Sequence, residues 1–243
     1  MEIKVFPTPE LLAGDMSARL AEMINASASD GRIFSLAVSG GNTPRLLFES
    51  LAANYADKIN WDFLRLFWVD ERCVPPDSDE SNYGTMRRIL LDRISLGLSH
   101  AYRMKGEEDP EQEARRYSDL LVSELSKKNG LPFFDLVLLG MGDDGHTASI
   151  FPGNLGLIDT DSLCAVAANP YSGQKRITLT GKVINNAGRV AFLVTGRNKS
   201  TVAEKILTKT GDYLNFPASY ISPSDGIIEW IFDEEAGSFA IQK

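Results

Sequence analysis

Two stretches set the terms for any fold this chain can adopt: FLRLFWV at Phe63–Val69 and FDLVLLG at Phe134–Gly140. Each is almost continuously apolar over the length of a strand, which suits a sheet buried on both faces rather than one with a wet side. Asp135–Leu139 carries the second of these strands, and five further runs read as strands: Arg32–Val38, Leu163–Ala167, Arg176–Thr180, Val190–Thr195 and Ile227–Phe232. Between them apolar residues recur at helical spacing. Pro9–Ser27 carries Leu12, Met16, Leu20 and Ile24, Pro44–Asn54 carries Leu47 and Leu51, and Asp109–Lys127 carries Ala114, Tyr117 and Leu121. Asn198–Thr208 is a further helix, and Ser81-Asn82-Tyr83-Gly84 leads into another. Strand–helix alternation of this kind predicts an α/β fold with a mostly parallel sheet. Such sheets bind ligands at the carboxyl ends of their strands, near the point where strand order reverses. The residues after each strand therefore carry the functional information.

No repeat, low-complexity tract or polar linker divides the 243 residues, so residues 1–243 are expected to form one domain. Lys and Arg number 25 against 33 Asp and Glu, a formal charge of −8. That balance disfavours nucleic acid and anionic membranes as partners, and an anion would need a local cluster of cations. The two cysteines, Cys73 and Cys164, are too few for a disulfide framework or a cysteine-based zinc site. No basic-then-apolar leader opens the chain, and no run of about 18 apolar residues is long enough to span a membrane. A cytoplasmic location is the expectation.

After the strand ending at Val38 comes Ser39-Gly40-Gly41-Asn42-Thr43-Pro44. Thr43 reads as a helix N-cap with Pro44 at the first helical position, and a glycine-rich turn into a helix can hold phosphate or carboxylate. The pattern matches neither the Walker motif nor G-x-G-x-x-G, which disfavours nucleotide. After Val69 comes Asp70-Glu71-Arg72-Cys73, which reads either as a solvated loop whose Arg72 pairs with a neighbouring acid or, the favoured reading, as a polar cluster facing the ligand with Arg72 as a forked donor to an anion. The densest segment is GMGDDGHTASIFPG, residues 140–153, with His146 directly beyond a buried strand. Of the chain's two histidines, His146 is the candidate for proton transfer near neutral pH, and His100, beside an apolar stretch, reads as structural or surface. No second histidine stands near His146, so a metal site is not expected. Lys175-Arg176 opens RITLT, and VAFLVT runs into Gly196-Arg197-Asn198-Lys199-Ser200. Each is an ordinary cationic patch alone, and together they supply the cluster that an anion requires.

SGGNTP, DERCVP, GMGDDGHTASIFPG, RITLT and VTGRNKS, in this order and spacing, resemble the 6-phosphogluconolactonases. The resemblance runs from about residue 30 to about residue 235, and FPASYISPSDGIIEWIF resembles the closing segment of that family. It implies a Rossmann-like α/β fold with helices on both faces, shared with glucosamine-6-phosphate deaminases, and no cofactor. It also implies hydrolysis of 6-phospho-D-glucono-1,5-lactone, a small sugar phosphate, in the pentose phosphate pathway. Carried onto this chain, His146 is the general base. Gly40, Gly41, Asn42 and Thr43 line the pocket, and Arg72, Arg176 and Lys199 supply positive charge. Asp70 or Asp144 orients the imidazole, and backbone N–H groups or Arg72 hold the oxyanion; the residues do not choose between them. A deaminase of the related type would need a carboxylate next to the proline of its histidine segment, whereas here Phe151 precedes Pro152. A non-catalytic sugar-phosphate sensor on the same fold would bind the ligand without turning it over. Oligomeric state has no signature in the sequence.

Overall fold

The computed structural model describes residues 1–97 and 100–241. Leu98 and Ser99, beside the His100 candidate, and the last two residues of the 1–243 domain expectation lie outside the described residues. In chain order the first half contains β1 (Glu2–Phe6), α1 (Pro9–Ser29), β2 (Phe34–Val38), α2 (Asn42–Asn54), β3 (Leu64–Trp68), β4 (Asp70–Arg72), α3 (Asn82–Ile89), β5 (Ala101–Tyr102) and α4 (Pro110–Glu124). The second half contains β6 (Lys127–Lys128), β7 (Leu131–Pro132), β8 (Leu136–Leu139), β9 (Cys164–Ala168), β10 (Lys175–Leu179), α5 (Gly181–Ile184), β11 (Arg189–Val194), α6 (Ser200–Thr208), β12 (Ile227–Asp233) and α7 (Ser238–Ile241).

A seven-stranded sheet runs in the order β1-β12-β11-β8-β2-β3-β5, with every neighbouring pair parallel. The chain builds outward from β2 through β3 to β5, then returns to β8 and builds the other way, so strand order reverses between β2 and β8. Side chains alternate across the pleat. Leu36, Val38, Leu136, Leu138, Ala191 and Leu193 pack with Leu12, Met16 and Leu20 of α1, Leu47 of α2 and Met86 of α3. Ala37, Val137, Leu139, Phe192 and Trp230 face the other way, onto Tyr117 and Leu121 of α4 and Ala203 and Ile206 of α6. The sheet is thus buried on both sides, as FLRLFWV and FDLVLLG require. Thr8 caps α1 through Oγ1, which accepts from the Leu11 N–H at 3.3 Å, and Asp109 caps α4 by accepting from the Gln112 N–H at 3.0 Å. No helix among the described residues is long and apolar enough to cross a membrane.

Two local readings are corrected. The DER segment is not a solvated loop: it forms β4, which joins β10 and β9 in a separate three-stranded antiparallel sheet. The expected strands Leu163–Ala167 and Arg176–Thr180 form as β9 and β10 in that small sheet, a partner choice that apolar alternation does not encode. Thr43 does not cap α2, since its Oγ1 is buried 2.7 Å from Thr195 Oγ1, and Gly41 occupies the N-cap position instead.

Candidate active site

A cleft of about 750 Å³ opens at the carboxyl ends of β2 and β8, where strand order reverses. Its lining includes Gly40, Gly41, Asn42, Thr43, Asp70, Arg72, Asp144, His146, Arg176 and Lys199, so all ten residues singled out from the sequence face one cavity. His100 is half-buried and does not line it.

The wall after β8 is held by its own backbone. The Gly142 N–H donates to the His146 carbonyl at 2.9 Å, the Gly145 N–H to the Gly142 carbonyl at 3.0 Å, and Thr147 Oγ1 to the Gly140 carbonyl at 2.9 Å. This tight turn sets the imidazole over Gly142, where a Cβ would lie 2.1 Å from His146 Nδ1; only glycine leaves room for the ring. Phe151 packs against the imidazole with ring centroids 4.8 Å apart. Asp144 Oδ1 lies 2.6 Å from His146 Nδ1 and also accepts the His146 backbone N–H at 3.0 Å, while Oδ2 accepts from the Tyr171 hydroxyl at 3.0 Å. Burial alone would raise the Asp144 carboxyl, but the His146 ring, the His146 backbone N–H and the Tyr171 hydroxyl together lower it to about 2. An ionised carboxylate only accepts, so Nδ1 carries the imidazole proton and Nε2 is left as the basic atom.

Asp70, the alternative partner for the ring, is turned elsewhere. Its Oδ2 accepts from Ser149 Oγ at 2.5 Å and stands 3.9 Å from the Arg176 guanidinium, and its Oδ1 and backbone carbonyl accept from Asn82 Nδ2 at 3.4 and 2.9 Å. Gly40 packs so closely on Asn82 that a Cβ would meet its Oδ1 at 1.8 Å. Between the two acids whose roles the sequence left open, the geometry puts Asp144 on the imidazole and Asp70 among the cations. Glu71 faces away from the cleft: it is buried and accepts from the backbone N–H groups of Arg72, Asn82 and Tyr83, each at 2.8 Å, and from Ser81 Oγ at 3.0 Å. Burial pushes its carboxyl up, against those four donors, and its position fixes the start of α3.

Arg72 and Arg176 stand directly opposite each other on β4 and β10. Like charges in that register repel. Arg72 donates one guanidinium N–H to the Glu80 carbonyl at 2.5 Å, and the Nε atoms of both arginines are buried without a hydrogen-bond partner. Burial lowers the Arg176 guanidinium below its ordinary range, with Asp70 opposing and Arg72 reinforcing that shift. Burial likewise lowers Lys199, while Asp143 and Asp233 pull it back up. Asp233 anchors the turn leading to Lys199, accepting the Gly196 N–H at 3.0 and 3.1 Å. Arg72, Arg176 and Lys199 thus line one cleft, and three cations gathered there can receive an anion. The first turn of α2 adds N–H groups that no side chain caps. Among the described residues no group of three or more His, Cys, Asp and Glu side chains is arranged to hold a metal ion. Sequence reasoning missed Tyr171 and Thr195 as lining residues, and took Asn82 only as the start of a helix; Tyr171 lies in a polar loop that gives no apolar or charge signal.

A family model described as glucosamine-6-phosphate isomerases/6-phosphogluconolactonase matches residues 7–230. A 6-phosphogluconolactonase of Haemophilus influenzae is 41% identical over 202 residues, covering 83% of this chain and 85% of that relative. One from Treponema pallidum is 40% identical over 191 residues, 79% of each. The solved 6-phosphogluconolactonase of Trypanosoma brucei superposes with a TM-score of 0.88 at 31% identity, covering 98% of both chains. A monomeric glucosamine-6-phosphate deaminase superposes with a TM-score of 0.82 at 22% identity, over 98% of this chain and 99% of its own, a likeness of fold alone.

Proposed function

The chain belongs to the glucosamine-6-phosphate isomerase/6-phosphogluconolactonase family, and we propose that it hydrolyses 6-phospho-D-glucono-1,5-lactone to 6-phospho-D-gluconate, the lactonase step of the oxidative pentose phosphate pathway, with His146 as general base. The observation that carries this reading is a preformed His146–Asp144 pair, 2.6 Å apart, in the same cleft as Arg72, Arg176 and Lys199. Neutral His146 takes a proton from water at Nε2 as the water oxygen attacks C1 of the lactone. Asp144 keeps the ring in the tautomer that leaves Nε2 free and steadies the imidazolium that forms. The uncapped N–H groups of α2 are donors available to the oxyanion. When the tetrahedral intermediate collapses, the bond from C1 to the ring oxygen breaks and the imidazolium returns its proton to that oxygen. The products are the open-chain hydroxyl and the carboxylic acid, which then ionises. The cationic wall takes the phosphate, and no cofactor enters the balance.

The test follows formation of 6-phosphogluconate from lactone generated in situ from glucose 6-phosphate, against the spontaneous rate. Wild type should accelerate it, and His146→Ala should lower kcat by about 100-fold or more. A folded His146→Ala with unchanged kcat removes the base, and no acceleration by wild type removes the activity.

A further inference from the structure

Tyr171 stands outside every motif discussed above. It occupies the tip of the hairpin between β9 and β10, and the residue is 76% exposed, unusual for an aromatic one. The tip is nonetheless firmly built. Asn169 Oδ1 accepts the backbone N–H groups of Tyr171 and Ser172 at 2.8 and 3.1 Å, the Gly173 N–H donates to the Asn169 carbonyl at 2.8 Å, and Gln174 Nε2 reaches Glu80 Oε2 at 3.2 Å. From this turn the phenol extends over the cleft rim to Asp144 Oδ2.

We propose that Tyr171 is a positioning residue: by donating to the outer oxygen of Asp144, it locks the carboxylate whose inner oxygen orients His146. The inference rests on His146 being the base. With Oδ1 taken by the His146 ring and backbone and Oδ2 by Tyr171, both carboxylate oxygens are fixed by protein donors. Without the hydroxyl, one oxygen is free to exchange water and the carboxylate can rotate about its own bond. The second consequence is electronic. A donor on Oδ2 draws charge away from Oδ1, so its removal makes Asp144 a stronger acceptor for a protonated imidazole. The hydrogen bond to Asp144 holds the Tyr171 phenol above its ordinary range, so it remains a donor across the range in which histidine titrates.

The experiment uses Tyr171→Phe, which keeps the ring and deletes the O–H. The chain has two histidines, so its imidazole proton signals form two titration curves, and His146→Gln identifies which belongs to His146. Tyr171→Phe should lower kcat roughly 2- to 10-fold, the scale of one lost hydrogen bond, with KM little changed. The His146 titration midpoint and the acid limb of the kcat/KM profile should move together to higher pH, by about 0.3 unit or more. The other charged groups lining the cleft, Asp70, Arg72, Asp143, Arg176 and Lys199, are untouched, so the movement reads the lost O–H. Wild-type kcat with an unmoved titration overturns the proposal. So does a fall in kcat without that movement, which would assign Tyr171 to loop integrity alone. If His146→Gln itself keeps wild-type kcat, the base assignment fails; if it is inactive while Tyr171→Phe is indistinguishable from wild type, only the role of Tyr171 fails.

Discussion

On one wall of the cleft, Asp144 and His146 stand two residues apart in sequence and meet at 2.6 Å. Across the rest of the lining, which makes up the second wall, Arg72 and Arg176 come from two antiparallel strands and face each other as like charges, while Lys199 comes from a distant turn. The first wall satisfies its carboxylate internally: the His146 ring and backbone and the Tyr171 hydroxyl hold both Asp144 oxygens before any ligand arrives, with only Nε2 left open. The second wall is left electrostatically unfinished, with desolvated cations and two guanidinium Nε atoms that have no partner. Catalytic geometry has to exist before substrate binds, because reorganisation at the moment of reaction raises the barrier. A binding wall can instead leave its repulsion for the ligand to relieve. On the proposed reading, the two sets divide the work: one acts on the reacting carbon and the other receives the anion.

The sharpest way to break the local wall is Gly142→Ala. Its Cβ would lie 2.1 Å from His146 Nδ1, so the ring must leave its place even though no reacting group has been removed. We expect kcat to fall about 100-fold, approaching His146→Ala, since a small displacement of a general base costs rate on that scale. Steady-state kinetics on protein with unchanged circular dichroism checks this, and activity within a few-fold of wild type would mean that the turn does not set the ring position.

Breaking the other wall should read out differently. Lys199→Ala is expected to raise KM for the phosphorylated lactone about 10-fold and leave hydrolysis of unphosphorylated gluconolactone unchanged, because the loss is one of uniform binding to the phosphate. Equal effects on both substrates would move Lys199 from the phosphate to the sugar or the reacting centre, and the division between the walls would fail with it.

The same contrast explains how much could be read in advance. The wall after β8 was legible as a segment because its contacts are local: His146 and Asp144 sit in one glycine-rich stretch directly beyond a buried strand, although the sequence left Asp70 open as the alternative partner of the ring until the geometry turned it to Ser149. The cations were legible as residues but not as a geometry. Nothing in DERCVP or RITLT shows that these segments pair as β4 and β10, because a run of alternating residues specifies pleat and burial but not its partner. The edge strand Glu2–Phe6 was missed for a related reason: it buries no residue fully, so it lacks the apolar continuity that marked the central strands. Thr43 illustrates a third limit. Its position before Pro44 fits a cap, yet a tertiary contact with Thr195 claims the hydroxyl. Tyr171 was invisible because its one informative contact is a hydrogen bond across 27 residues to a carboxylate.

The smallest effect concerns stability and tests whether the local wall is electrostatically closed in the folded protein. The Asp144 carboxyl is lowered from 3.8 to about 2. A carboxyl with a depressed folded value stabilises the fold above its unfolded value and loses that contribution as pH falls through the folded one. Asp144→Asn keeps the Oδ1 acceptor for Nδ1–H while removing the charge. Its amide NH2 replaces Oδ2, so the Tyr171 hydroxyl must accept there instead of donating, and only the pH-dependent part of the difference reads the ionised form. At pH 5 to 6 wild type should be more stable than Asp144→Asn by roughly 1 kcal/mol, a figure discounted for screening at a half-buried site. The gap should narrow as pH drops from about 4 towards about 2, where wild type takes up the proton that the variant cannot. Denaturant unfolding of both proteins across that range measures it. A gap independent of pH would mean that Asp144 acts through shape alone, and the wall would then be closed by hydrogen bonds with no contribution from its charge.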